Sequence, residues 1–198
     1  MRWTIRIGLL VVVLWAAFMA SPFVALYRLG NAVQARDIAA VRERVNFGAL
    51  RLSLSKQIVS EYLRAVGRGR ELDSFDRNLA TSAGVTIADP LIAQLVTPEA
   101  VAGLLEGRLP ATIAAAAPNV PTGLSIRFSS LAEAARVYFA SQSRGFRNVF
   151  IPLPNGRPKT EQARLHMRLS GTTWRLIGVE LPQELVRALV QQLPRATT

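Results

Sequence analysis

The segment ARLHMRLSGTTWRLIGVE, residues 163–180, decides the fold of this chain. Apolar residues occupy every second position from Ala163 to Leu169, and polar residues stand between them. A period of two places alternate side chains on opposite faces of a β-strand. Gly171-Thr172 suits a two-residue hairpin turn, which would pair Leu169 with Trp174 on the returning strand. We therefore predict an antiparallel hairpin with one apolar and one polar face.

Further strands are predicted before this hairpin, and a helix is predicted after it. The strand candidates are Leu124–Ser129, Ala135–Ser141 and Asn148–Leu153. After Pro182, leucines recur every four residues, which is typical of an amphipathic helix. Residues 123–198 are thus expected to form an antiparallel sheet of about four strands with a closing C-terminal helix.

The preceding part, residues 28–109, carries helical patterns. Asp37 and Asn46 stand where helix N-caps accept hydrogen bonds from the first turn. Thr97-Pro98 has the form of an N-cap followed by a proline at the first helical position. Residues 110–122 are rich in alanine and proline and are interpreted as a connector. The predicted fold class is therefore α+β, with a helical half followed by a sheet half.

The N-terminus contains IGLLVVVLWAAFMASPFVAL, residues 7–26, with no charged residue. At 1.5 Å per residue, this helix is long enough to cross a hydrocarbon core about 30 Å thick. Signal-peptide cleavage favours small residues at positions −3 and −1, but cleavage after either alanine near the end would place phenylalanine at −3. Residues 1–27 are therefore interpreted as an uncleaved transmembrane anchor, and residues 28–198 as one domain.

Two features of the anchor leave alternatives open. Ser21-Pro22 also has the form of an N-cap followed by proline, so the helix could kink or restart there. Arginines flank the span on both sides, and their distribution does not fix the orientation. Because a short basic segment before the first span is typical of a signal anchor, we expect an inner-membrane protein with its C-terminal domain in the periplasm.

Residues 21–57 read SPFVALYRLGNAVQARDIAAVRERVNFGALRLSLSKQ. This pattern resembles a family of bacterial, mainly proteobacterial, single-span membrane proteins that is known only as a domain of unknown function. The matching positions are Ser21, Pro22, Phe23, Asp37, Val45, Asn46, Phe47, Arg51 and Gln57, with later landmarks at Val96-Thr97-Pro98-Glu99 and Trp174-Arg175-Leu176. The resemblance implies a membrane-anchored protein that faces the envelope, and it carries over no catalytic residues.

The composition excludes several kinds of site. The chain has no cysteine and one histidine, which excludes disulfides, thiolate chemistry and multi-histidine metal sites. No glycine-rich phosphate loop is present. Ser53-Leu54-Ser55-Lys56 matches the Ser-x-x-Lys nucleophile motif, but the motifs that accompany it in penicillin-binding enzymes are absent. We expect a non-enzymatic protein with no catalytic residues, no cofactor and no metal.

The positive charge is the most unusual property of the domain. The net charge is +11, and only Arg2 and Arg6 precede the span. In the predicted hairpin register, Arg168 faces Arg175, Arg164 lies further along the same face, and Ile177 and Val179 share that face. Like charges on facing residues are destabilising unless an anion or an acid covers them. This face is therefore a candidate contact for anionic lipid headgroups or an acidic protein partner. Nucleic acid is not expected as a partner, because no recognition motif occurs.

Eight apolar residues in the sheet half would form either an ordinary core or a pocket. They are Phe128, Val137, Phe139, Val149, Leu165, Met167, Trp174 and Leu176. Two functions remain open at this point. The first is a membrane-anchored, non-catalytic binding or accessory module of the envelope. The alternative is a pocket for a lipid or another apolar ligand, in a domain similar to the cone-shaped fold of nuclear-transport-factor-two-like proteins.

Overall fold

The computed structural model describes residues 2–65, 92–108, 137, 140–143, 145–153 and 162–191. Its helices are α1 (Arg2–Gln34), α2 (Ile38–Arg44), α3 (Phe47–Ala65), α4 (Pro98–Leu105) and α5 (Gln183–Gln191). Its strands are β1 (Gln142–Ser143), β2 (Asn148–Leu153), β3 (Ala163–Ser170) and β4 (Thr173–Glu180). A helical turn at 92–95 precedes α4. This order confirms the predicted α+β fold.

The four strands form one antiparallel sheet in the order β1-β2-β3-β4. Ser170 pairs with Thr173 and Leu169 pairs with Trp174, so the predicted two-residue turn and its register are confirmed. Gly171 has a φ of +63°, a conformation that glycine adopts without steric cost. The hairpin predicted from the sequence pattern therefore supplies β3 and the edge strand β4 of the sheet.

A β-bulge changes the far end of this hairpin. Met167 pairs with Leu176, but Leu165 pairs with Val179, so β4 contains one extra residue between these pairs. Because side chains alternate between faces, the extra residue turns Val179 towards the core and brings Glu180 opposite Arg164. The expectation that Val179 shares the arginine face is therefore wrong.

Three predicted N-caps are confirmed. Asp37, Asn46 and Thr97 each accept a hydrogen bond from the backbone N–H three residues ahead, at 3.0–3.1 Å. These bonds satisfy backbone donors that have no partner within a helix. The start of each helix is thus determined by local sequence.

The apolar core lies between the helices and the inner face of the sheet. Its largest fully buried side chains come from α1, α3, α4 and the sheet, with one from the 92–95 turn. They are Leu26, Leu29, Leu50, Ile58, Ile92, Leu105, Ile151, Leu165, Met167 and Leu176. The second half of α1 is thus part of the domain core.

One predicted strand is wrong. In the candidate Ala135–Ser141, Val137 and Ala140 are helical, and the N–H of Ser141 donates to the carbonyl of Val137 at 3.0 Å. A short apolar run without strict alternation does not distinguish a strand from a buried helix. The candidate strand Leu124–Ser129 and the connector 110–122 lie outside the described residues.

Candidate functional site

The first half of α1 is an exposed apolar helix. Every residue from Trp3 to Ala17 is exposed, and the helix is long and apolar enough to cross a membrane. At 1.5 Å per residue, residues 3–17 measure about 22 Å, which covers most of the roughly 30 Å of a hydrocarbon core. Fully buried residues such as Leu26 and Leu29 follow closely. The domain therefore lies directly at the end of the free segment, without a spacer.

A proline within α1 creates the contact between this helix and the sheet. Pro22 has no N–H, so the carbonyl of Phe18 loses its usual helical partner. Ser21 Oγ donates to that carbonyl at 2.6 Å and accepts a hydrogen bond from Trp174 Nε1 at 2.8 Å. The Ser-Pro pair is thus not a helix start. It is a docking point for Trp174 within one continuous helix.

Two polar residues from the helical part bind the outer edge of β4. The backbone N–H of Asn46 donates to the carbonyl of Leu176 at 2.8 Å. The Gln57 side chain donates to the carbonyl of Val179 at 2.6 Å and accepts from the N–H of Leu181 at 2.9 Å. The carboxamide thereby takes the place of a peptide group from a neighbouring strand. This edge, which would otherwise present unpaired backbone groups, is partly covered.

A groove with a volume of about 280 Å³ lies between α1 and the sheet. Phe18 and Phe23 contribute from α1, and Val149 and Trp174 contribute from the sheet. Phe146, in the turn between β1 and β2, also borders the groove and is 76% exposed. A second cavity, among leucines of α3, α4 and α5, has a volume of only about 20 Å³. Of these two cavities, only the groove is large enough for an organic ligand.

The three candidate anion-binding arginines occupy two different environments. Arg168 lies directly opposite Arg175, and both side chains are exposed. Arg164 lies opposite Glu180 because of the bulge, and its Nη1 is 3.5 Å from Glu180 Oε2. Within the described part of the chain, neither Arg168 nor Arg175 forms an ion pair. The cationic face therefore reduces to one facing pair of arginines.

This arginine pair lies at the end of the sheet formed by the β1–β2 and β3–β4 turns, which we call the hairpin end. Trp174, the chain neighbour of Arg175, binds Ser21 of α1 at this end. The β1–β2 turn lies beside it, because the N–H of Leu169 donates to the carbonyl of Arg147 at 2.9 Å. The hairpin end therefore presents three exposed arginines, Arg147, Arg168 and Arg175, beside the point where the free half of α1 ends.

The described members of the apolar set lie in the core. Leu165, Met167 and Leu176 are fully buried, and Val137, Val149 and Trp174 are buried as well. Phe128 and Phe139 lie outside the described residues. Among the described members of this set, only Val149 and Trp174 border the groove.

The structure gives the serine and the lysine of the Ser-x-x-Lys run different environments. A Cβ added at Gly178 of β4 would lie 2.9 Å from Ser53 Oγ, so Ser53 packs against the sheet, whereas Lys56 is exposed. The His166 ring stacks on Phe150, with ring centroids 4.1 Å apart. Over the described ranges, no group of three or more potential metal ligands is brought together.

Sequence reasoning missed the groove and its aromatic border. The groove joins side chains of α1 to side chains more than 120 positions away, and no periodic pattern records such a contact. One local signal was available: Phe146 stands between arginines in the polar run SRGFRN, residues 143–148. A large apolar residue in a basic turn is typical of a surface contact rather than of a core.

Residues 11–104 match the model of a family described as a protein of unknown function, DUF2939. The expected resemblance to a domain of unknown function is therefore confirmed. No curated protein and no solved structure matches the chain. The matched region extends from the free half of α1 almost to the end of α4, and it includes Ser21, Asn46 and Gln57, which bind β4.

Proposed function

We propose that this chain is a single-pass inner-membrane protein whose α+β domain is a non-catalytic binding module at the periplasmic membrane surface. In this proposal, Arg168 and Arg175 contact anionic lipid headgroups. The observation that carries it is the position of the hairpin end, which lies where the free apolar half of α1 meets the domain.

The continuity of α1 supports an uncleaved anchor. The helix passes through Ser21-Pro22 without ending, and its second half supplies Leu26 and Leu29 to the core. Cleavage after Ala25 would remove Ser21 and leave the buried indole N–H of Trp174 without its partner. A buried donor without an acceptor costs about 1–3 kcal/mol. The domain is therefore most stable with its N-terminal helix in place.

Charge and distance support the headgroup contact. The free segment covers most of the hydrocarbon core and leads directly into the domain, so the hairpin end would lie in the headgroup region rather than far above it. An arginine near an anionic membrane surface contributes about 1 kcal/mol to binding. A phosphate between Arg168 and Arg175 would also relieve the repulsion between these facing side chains.

The proposal is tested with the full chain in nanodiscs of phosphatidylcholine, with and without phosphatidylglycerol. The readout is hydrogen exchange of the backbone amides in the β1–β2 and β3–β4 turns. We expect slower exchange in the anionic discs, and we expect the double variant Arg168→Glu/Arg175→Glu to lose this difference.

The matched control is Arg42→Glu/Arg51→Glu. It changes the net charge by the same amount at exposed positions of α2 and α3. It should keep the lipid-dependent protection. Protection that is equal in both kinds of disc, or equally lost in both double variants, would refute the headgroup contact and leave an acidic protein as the partner to seek.

The orientation has a separate test. Alkaline phosphatase and green fluorescent protein are each fused to the C-terminus of the full chain. A periplasmic domain gives phosphatase activity without fluorescence. A fluorescent but phosphatase-inactive pair would place the domain in the cytoplasm.

A further inference from the structure

The groove between α1 and the hairpin end is the feature with the most unexplained apolar surface. Its volume of about 280 Å³ is just below the range of about 300–1,000 Å³ that is typical of ligand pockets. Phe18 and Phe23 face it from the helix, and Val149 and Trp174 face it from the sheet. A site of this size suits one flexible apolar chain better than a bulky molecule.

The position of the groove indicates which kind of molecule could occupy it. Phe18 and Met19 are half-buried and directly follow the fully exposed stretch of α1. Since that stretch is the candidate membrane span, the groove begins at the level where the span would leave the bilayer. A molecule already in the membrane would reach the groove by moving sideways, without crossing water.

Charge complementarity points to the same occupant. Arg147 is the chain neighbour of Phe146, which borders the groove. Arg168 and Arg175 lie at the same end of the sheet, on the polar face opposite to the groove, so a headgroup would reach them around the hairpin end. A molecule with an apolar tail in the groove would therefore hold its head near exposed cations.

We infer that this groove binds one acyl chain of a bilayer phospholipid whose phosphate headgroup lies at the hairpin end. The inference rests on the proposed membrane-anchored placement. It adds a specific lipid site to that placement, because a headgroup contact alone requires no groove.

The test uses the full chain in nanodiscs that contain phospholipid brominated along the acyl chain. Bromine quenches tryptophan fluorescence at short range, and the chain has three tryptophans, Trp3, Trp15 and Trp174. In the background Trp3→Phe/Trp15→Phe, all emission comes from Trp174 in the groove wall. We expect brominated lipid to quench this emission.

The substitution Ser143→Phe narrows the groove from an exposed position on β1. It should remove most of the quenching. Gln142→Phe is the matched control, because this neighbouring exposed residue pairs with Phe150 and faces the other side of the sheet. It should leave the quenching unchanged. Absence of quenching in the background protein, or equal quenching in the two variants, overturns the acyl-chain site.

A separate variant tests whether α1 is inserted in the membrane. The variant Trp174→Phe keeps Trp3 and Trp15, so its quenching reports insertion of the free half of α1. Quenching there without quenching of Trp174 refutes the groove but not the anchor. Equal quenching of Trp174 by brominated phosphatidylcholine and brominated phosphatidylglycerol supports the acyl-chain site and refutes a preference for anionic headgroups.

Discussion

The indole Nε1 of Trp174 donates a 2.8 Å hydrogen bond to Ser21 Oγ, joining two residues that are 153 positions apart. The same hydroxyl donates to the Phe18 carbonyl, which Pro22 deprives of its helical partner. One serine thus satisfies two polar groups at the junction between the apolar helix and the sheet. This junction determines where the domain sits along α1.

We predict that Ser21→Ala destabilises the protein more than a serine-to-alanine change at an exposed helix position does. It leaves both the Phe18 carbonyl and the Trp174 N–H unpaired, at a cost of about 1–3 kcal/mol. For a chain of this size, each kcal/mol lowers Tm by about 2–4 °C. Thermal unfolding in detergent measures the loss, and Ser60→Ala, at an exposed position of α3, is the neutral control.

A double-mutant cycle with Trp174→Phe measures the energetic coupling between Ser21 and Trp174. If the hydrogen bond couples the two residues, the double variant should be more stable than the sum of the single effects predicts, by at least about 0.5 kcal/mol. Additive effects would show that each side chain acts through other contacts.

The substitution Gln57→Ala is expected to open the outer edge of β4. It removes the two hydrogen bonds to Val179 and Leu181, worth about 1 kcal/mol each. The amide of Leu181 should then exchange with solvent markedly faster. Lys56→Ala, the exposed neighbour on the same helix, should leave that exchange rate unchanged.

Two glycine-to-alanine substitutions should change the stability in opposite directions: Gly178→Ala should lower it and Gly48→Ala should raise it. A Cβ at Gly178 would lie 2.9 Å from Ser53 Oγ and 3.3 Å from its Cβ, so Gly178→Ala forces α3 away from β4. Overpacking of this kind costs about 1–3 kcal/mol. At Gly48, the nearest atom is Asn46 Oδ1 at 3.6 Å, and alanine in a helix is favoured over glycine by about 1 kcal/mol.

Adding Ser53→Gly to Gly178→Ala tests the cause of this loss. The double variant removes both conflicting atoms of Ser53 and should regain part of the lost stability. Chemical denaturation measures the free energy of unfolding of the parent, of Gly178→Ala, of Gly48→Ala and of the double variant. A Gly178→Ala variant as stable as the parent would contradict the close packing.

Arg168→Glu alone should separate stability from membrane contact. It converts a facing pair of like charges into an Arg–Glu pair, which stabilises a sheet by about 0.2–1 kcal/mol. It also removes positive charge from the hairpin end, so the exchange protection in anionic nanodiscs should decrease. A variant that loses both stability and protection would indicate that Arg168 has a structural role instead.

Phe146→Ser should reduce membrane contact without affecting the fold. The side chain is 76% exposed, so its removal takes little apolar surface out of the core. We expect an unchanged Tm in detergent and faster exchange of the β1–β2 turn in nanodiscs. The exposed residue Leu52 on α3 provides the control, and Leu52→Ser should alter neither measurement.

Local sequence patterns were sufficient for several elements of the fold. The apolar length of α1, the caps at Asp37, Asn46 and Thr97, and the turn at Gly171-Thr172 all depend on residues close together in the chain. Local hydrogen bonds and side-chain periodicity act within a few residues, so they can be recognised without a structure. The same patterns were ambiguous for Ala135–Ser141, where a short apolar run fits either a helix or a strand.

The arrangement of the candidate site depended on contacts between distant segments. The bulge that separates Arg164 from the facing pair Arg168 and Arg175 is a shift in the register between β3 and β4, which the alternating pattern alone does not reveal. The roles of Ser21 and Gln57 likewise follow from the strand that packs against them. The contacts of Ser21 and Gln57 join residues that are 153 and 122 positions apart in the chain. The sequence was therefore sufficient to identify what each side chain can donate or accept. Only the folded domain determined which residue each side chain contacts.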